Sequence, residues 1–260
     1  MTDSVKAALF VVGAMLSFTT MAVMGREVGQ DLQTFEIMMY RSFVGIIIVL
    51  GVATAFGTVG EIKTQRFGLH VLRNVFHFTG QNLWFYAVLF IPLSQLFAFE
   101  FATPLWIAIL APILLGERVT RLRVFGILLG FIGILIVARP DMTTINLATA
   151  AAFFCALGFA GTSICTKLLT RTESLTCILF WLVTIQAMFG IGASLWDGQI
   201  TLPDAWHWPY LIVIGLCGLA AHFCLTNALA LADASFVAPL EFLRLPLVAV
   251  IGYYLYAEPL

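Results

Sequence analysis

Residues 238–248 read APLEFLRLPLV, an acid and a base three positions apart in a run that is otherwise proline and hydrocarbon. Apolar stretches of this kind fill the chain. Of its 260 residues, 61% are hydrophobic and 10% charged, where a soluble domain has about 45–50% and about 25%. One aqueous core cannot hide that much apolar surface, so the bilayer has to serve as solvent for most of it. The net charge of −1 gives no sign of nucleic-acid binding. Cys155, Cys165, Cys177, Cys217 and Cys224 all sit in apolar runs with no C-x-x-C spacing. That pattern argues against a disulfide framework or a zinc site and for small buried hydrophobes. The reading therefore includes no metal and no cofactor.

A spanning helix needs about 20 mostly apolar residues. Nine segments qualify: 5–25, 34–55, 70–90, 94–115, 121–138, 146–168, 175–196, 209–231 and 235–256. The first is not read as a cleaved leader, because it is long enough to span and a matching segment recurs later.

Slid against itself by 141 positions, the sequence superposes its segments without a gap. Phe18 meets Phe159, Arg26 meets Lys167, Glu100 meets Glu241, Phe101 meets Phe242 and Glu117 meets Glu258. Superposed rare polar residues under one offset predict a duplication, residues 1–140 against 141–260. An odd number of passes per copy makes the second copy enter the membrane inverted. The basic residues agree: with the N-terminus in the cytoplasm, nine lie inside (Lys6, Lys63, Arg66, Arg73, Arg118, Arg121, Arg123, Lys167, Arg171) and only Arg26 and Arg139 outside. The expected fold is thus an all-α integral membrane protein of two inverted-topology five-helix repeats. Nine helices are present. The partner of segment 5 is expected near 262–279, past Leu260, so the tenth is expected to be missing.

LLGERVTRLRVFGILLGFIGILIVARP (114–140) resembles the junction of the fourth and fifth helices of EamA-type domains, in the drug/metabolite transporter superfamily. SFVAPLEFLRLPLVAVIGYYLYAEPL (235–260) is similar to the same junction in the second repeat, and MMYRSFVGIII (38–48) to the second helix with its arginine. The resemblance covers the whole chain. It implies ten helices, one more than this sequence shows, and a substrate among amino acids, sugars, nucleotide-like metabolites, riboflavin or S-adenosylmethionine.

Arg41, Glu100, Glu241 and Arg244 lie well inside predicted spans. Each charge near the bilayer centre costs about 2.5–3.5 kcal/mol, so they have to face one another, water or a ligand. One reading has Glu241 and Arg244 neutralise each other on one helix face. The other, favoured here, has them line a water-filled cavity. Glu100 and Glu241 are repeat mates, and both segments carry interior prolines (Pro104 and Pro112; Pro239 and Pro246). Helices interrupted at matching places in two halves point to a transporter site. His77, Gln81 and Trp84 share a face of segment 3. His222 is the repeat mate of Gln81, Asn227 is close by, and Trp84 and Trp106 are candidates for stacking on a flat substrate. Gly126 and Gly130 form a G-x-x-x-G that suits packing within the bundle, with a homodimer as the alternative.

The leading expectation is a secondary active transporter in the bacterial inner membrane. It would move a small polar or zwitterionic metabolite by alternating access, with Glu100 or Glu241 exchanging protons. The alternative is a non-transporting sensor or assembly subunit with buried ion pairs. An enzyme is not expected: no H-E-x-x-H, G-x-S-x-G or Walker loop occurs.

Overall fold

The computed structural model describes residues 2–138, 146–196 and 200–257, and among them every regular element is helical. In chain order these are α1 (Asp3–Val28), α2 (Thr34–Ala55), α3 (Phe67–Phe90), α4 (Leu93–Glu100), α5 (Thr103–Leu114), α6 (Arg121–Ala138), α7 (Leu147–Leu169), α8 (Leu175–Trp196), α9 (His207–Leu231), α10 (Ala234–Leu240) and α11 (Arg244–Tyr256). Short 3-10 turns cover Val59–Ile62 and Glu241–Leu243. Among the described residues seven stretches are long and apolar enough to cross a membrane: α1, α2, α7, α8, α9, Gln95–Leu114 and Ala234–Tyr256. The other two expected segments fold as α3 and α6. In α3, buried His70, Arg73, Asn74, His77, Gln81 and Asn82 dilute the apolar pattern. Arg139, Glu258 and the proposed 140/141 boundary lie outside the described residues.

Large apolar side chains face outward along the helices; Ile47, Ile113 and Leu122 are each more than 70% exposed. Only a hydrocarbon solvent makes such a surface favourable. The helix ends are closed locally. Asn146 caps α7 by accepting from the Thr149 N–H at 2.9 Å. Gln33 and Glu36 form a capping box on α2.

The packing follows the 141-residue offset. α1 lies along α9, and α3 lies along α7, which is the same pairing with the halves exchanged. α2 packs on α8, its own counterpart. Two of these seams need glycine. A Cβ on Gly158 would stand 2.8 Å from the Gly80 Cα, and one on Gly190 would stand 2.9 Å from the Met39 Cα. Backbone meets backbone there, as in close helix crossings within lipid. In α6, Gly130 accommodates the Phe242 ring, whereas Gly126 and Gly133 face open space. Part of that G-x-x-x-G therefore serves bundle packing.

Two spans are broken, each at its glutamate. α4 stops on Glu100, and α5 restarts with Pro104 in its first turn. Proline at 104 removes the N–H that would have bonded to the Glu100 carbonyl; the Thr103 hydroxyl donates to that oxygen instead, at 2.6 Å. In the second half α10 gives way to the 3-10 turn at Glu241, and α11 begins on Arg244. Of the four prolines, Pro104 and Pro246 stand in the first turn after a break, whereas Pro112 and Pro239 lie within α5 and α10; each break carries a glutamate.

Candidate functional site

The two breaks face each other. Glu100, 7% exposed, accepts from the Trp84 indole N–H at 2.6 Å through Oε2 and from Arg244 Nη2 through Oε1. The Arg244 guanidinium is packed among aromatic faces, 4.6 Å from the Phe97 ring centre, 5.4 Å from Phe101 and 5.7 Å from Phe18. The close charge pair therefore joins the halves, Glu100 to Arg244, and is not the Glu241–Arg244 pair along one helix. At the 3-10 turn the backbone tightens, and Arg244 reaches across to α4. Glu241 stays half-buried, and its carboxylate has no hydrogen-bond partner among the described residues.

A cavity of about 50 Å³ lies beside this pair. It has room for a few waters and is far below the several hundred Å³ of a metabolite pocket. The expected chamber is thus represented by a small cavity. Its lining obeys the repeat offset: Glu100 and Glu241, Gln81 and His222, and Phe18 and Phe159 all face it. So do Met21 and Thr162, Trp84 and Leu225, and Thr103 and Arg244, each pair 141 positions apart.

The cavity floor is polar and under-satisfied. His77 and His222 meet edge to face with ring centres 4.5 Å apart. Both His77 ring nitrogens, His222 Nε2 and Gln81 Oε1 are buried without a hydrogen-bond partner among the described residues. Orphaned buried polar atoms are costly, so several of them turned towards one cavity suit a polar ligand. Behind His222 a smaller recess holds Arg41, 6% exposed, whose Nη1 donates to the Met21 sulfur at 3.4 Å. Gly218 makes room for it: a Cβ there would come within 3.2 Å of Arg41 Nη1. Among the described residues no carboxylate pairs with Arg41.

Seven of the residues singled out in the sequence therefore meet at one cavity: His77, Gln81, Trp84, Glu100, His222, Glu241 and Arg244. Arg41 adjoins it through the recess it shares with His222. Two do not join it. Trp106 packs into an apolar cluster with Leu110 and Phe236, and Asn227 donates to the Phe223 carbonyl of its own helix at 2.8 Å. Trp84 is 2% exposed and its N–H is committed to Glu100, so its ring is wall and its indole is a positioning group. Sequence reasoning missed Thr103, Met21, Thr162 and Ser163 in the lining. Only Phe18 and Phe159 had a signal, their identity across the repeat. Arg73, counted among the cytoplasmic-side charges, is 1% exposed and donates from Nε to Thr166 at 2.7 Å.

Known proteins place this arrangement. The chain is 32% identical to a riboflavin transporter of Brucella anthropi over 85% of its own length and 79% of that protein. It is 29% identical to an S-adenosylmethionine uptake transporter of Rickettsia prowazekii, over 91% and 79% of the two chains. A protein of known crystal structure shares the fold with a TM-score of 0.78 at 17% identity, over 98% of this chain and 90% of that one. The model of the EamA-like transporter family matches twice, at residues 5–139 and again at 146–260. With both halves matched, the chain belongs to the EamA-like transporter family, a multi-pass membrane family of transporters and not of enzymes.

Proposed function

We propose that this protein is a secondary active transporter of the bacterial inner membrane, with its N-terminus in the cytoplasm, that moves a small polar or zwitterionic organic metabolite by alternating access. The observation that carries this reading is the Glu100–Arg244 pair, one partner from each half, beside a cavity lined by residues 141 positions apart. Residues 1–140 and 141–260 act as two inverted repeats, and the pseudo-two-fold axis passes through the cavity. Rocking one repeat against the other opens it to one side and then the other.

Arg41 and the unpartnered faces of His77 and His222 receive the anionic or acceptor end of the substrate. Glu241, whose carboxylate is uncommitted, takes a cationic or donor group, or the coupling proton. Phe18 and Phe159 flank a ring. The names of two relatives, riboflavin and S-adenosylmethionine transporters, supply the first candidates, since both molecules join a fused heteroaromatic ring to a polar chain. The test is counterflow in proteoliposomes with a panel of such metabolites, repeated with Glu241→Gln. Uptake of at least one by the parent chain is expected. A variant that keeps full pH-gradient-driven transport removes the proton role from Glu241, and no counterflow with any polar metabolite removes the transporter reading.

A further inference from the structure

A second cluster lies away from the cavity, where the loop between α2 and α3 meets the start of α8. The Cys177 sulfur has four potential hydrogen-bond acceptors around it. Glu173 Oε2 is 3.4 Å away, the Ile62 carbonyl 3.5 Å, and the Lys63 carbonyl and His70 Nε2 3.9 Å each. One thiol proton can serve only one of them. His70 and Cys177 are fully buried, and His70 Nδ1 has no partner among the described residues. The ligand atoms of His70, Glu173 and Cys177 all fall within 4.8 Å of one another.

Electron-rich atoms converging on one point suit a cation better than a shared proton. Zinc–sulfur bonds of about 2.3 Å and zinc–nitrogen or zinc–oxygen bonds of about 2.0–2.2 Å make tetrahedral ligand–ligand edges of roughly 3.6 Å. The observed sulfur–oxygen and sulfur–nitrogen distances, 3.4 Å and 3.9 Å, are within a few tenths of that. A thiolate and a carboxylate balance a divalent ion, so the filled site is neutral and suited to burial. Arg73, one turn along α3, is turned away towards Thr166. Glu173 is half-buried and lies nearest the surface, so an ion enters past it. The cysteine pattern had argued against zinc because no C-x-x-C occurs; here a single cysteine is joined by Glu173, four residues away, and by His70, 107 positions away.

We propose that His70, Glu173 and Cys177 form a binding site for a zinc-type divalent ion, beside the Ile62 carbonyl, which lies 3.5 Å from the sulfur and accepts from the Trp181 indole N–H at 3.0 Å. Binding releases the Cys177 proton to solvent and forms bonds from the ion to sulfur, nitrogen and oxygen. It ties the loop around Ile62–Gln65 to α8 and restrains that mouth of the protein. Glu173 already holds this loop by accepting from the Thr64 hydroxyl at 2.9 Å and the Gln65 N–H at 3.3 Å.

The test uses the purified full chain and cobalt(II) as a spectroscopic substitute. One equivalent per chain is expected to give a thiolate-to-cobalt charge-transfer band, which zinc displaces, together with a raised thermal midpoint. Cys177→Ser should abolish the band, His70→Gln should weaken binding at least tenfold, and Cys165→Ser should change neither. If Cys177→Ser is not monodisperse, His70→Gln and Glu173→Gln give the same reading. A folded parent chain that shows no band overturns the site, as does a band that survives in Cys177→Ser; the cluster is then only a hydrogen-bonded clasp.

Discussion

Arg244, the first residue of α11, donates to Glu100, the last residue of α4, across 144 positions of sequence. Each sits at the wrong end of its helix: a cation at an N-terminus and an anion at a C-terminus both oppose the helix dipole. In a buried setting each depends on the other. The pair joins the two halves, and neither group is favoured at its helix end without the other.

Removing one partner leaves an uncompensated buried charge. Glu100→Leu or Arg244→Leu should each destabilise the protein by about 3–5 kcal/mol. The double change to Leu should recover most of that loss, and it should abolish transport. Denaturant unfolding in detergent, run as a double-mutant cycle, measures the coupling. Additive single effects would show that the two residues do not act as a pair.

Arg41 calls for the opposite expectation. It is buried without a carboxylate among the described residues, so Arg41→Met should be neutral or stabilising by up to about 2 kcal/mol. The same variant should lose at least tenfold in affinity for a carboxylate-bearing substrate. A thermal midpoint that falls sharply would mean the guanidinium holds the fold instead of awaiting a ligand.

Thr103 replaces the backbone donor that Pro104 lacks. Thr103→Val keeps the shape and leaves the Glu100 carbonyl short of one hydrogen bond, at a cost of about 1–2 kcal/mol. Thr103→Ser should be close to the parent chain. Equal stability of the Val and Ser variants would count against this account of the break.

Two glycines on the same protein should respond in opposite ways. Gly158→Ala forces a Cβ to 2.8 Å from the Gly80 Cα and 2.9 Å from the Phe76 carbonyl, so α3 and α7 must part. A loss of about 1–3 kcal/mol is expected. Gly133→Ala meets nothing within 4 Å, and the better helix propensity should stabilise α6 by about 0.5–1 kcal/mol. Melting curves of the two variants in one detergent settle both.

Much of this arrangement is legible in the chain itself. A long apolar segment can satisfy its backbone in lipid only as a helix, so composition alone determines the class. The offset that superposes Glu100 on Glu241 and Gln81 on His222 already indicates which residues meet. Proline at 104 and 246 locates the breaks because a missing N–H is a local chemical fact.

Which charge pairs with which was decided only by the tertiary structure. Glu241 and Arg244 are near neighbours in sequence, yet the 3-10 turn and the crossing of the halves give Arg244 to Glu100. Trp106 and Asn227 have suitable chemistry and face the wrong way, because direction depends on how helices are rotated when packed. Glu173 and Cys177 are four residues apart, but nothing in the sequence brings His70, 107 positions from Cys177, to them. Local chemistry is written in consecutive residues; proximity between distant ones arises only when the helices dock and their side chains compete for the same space.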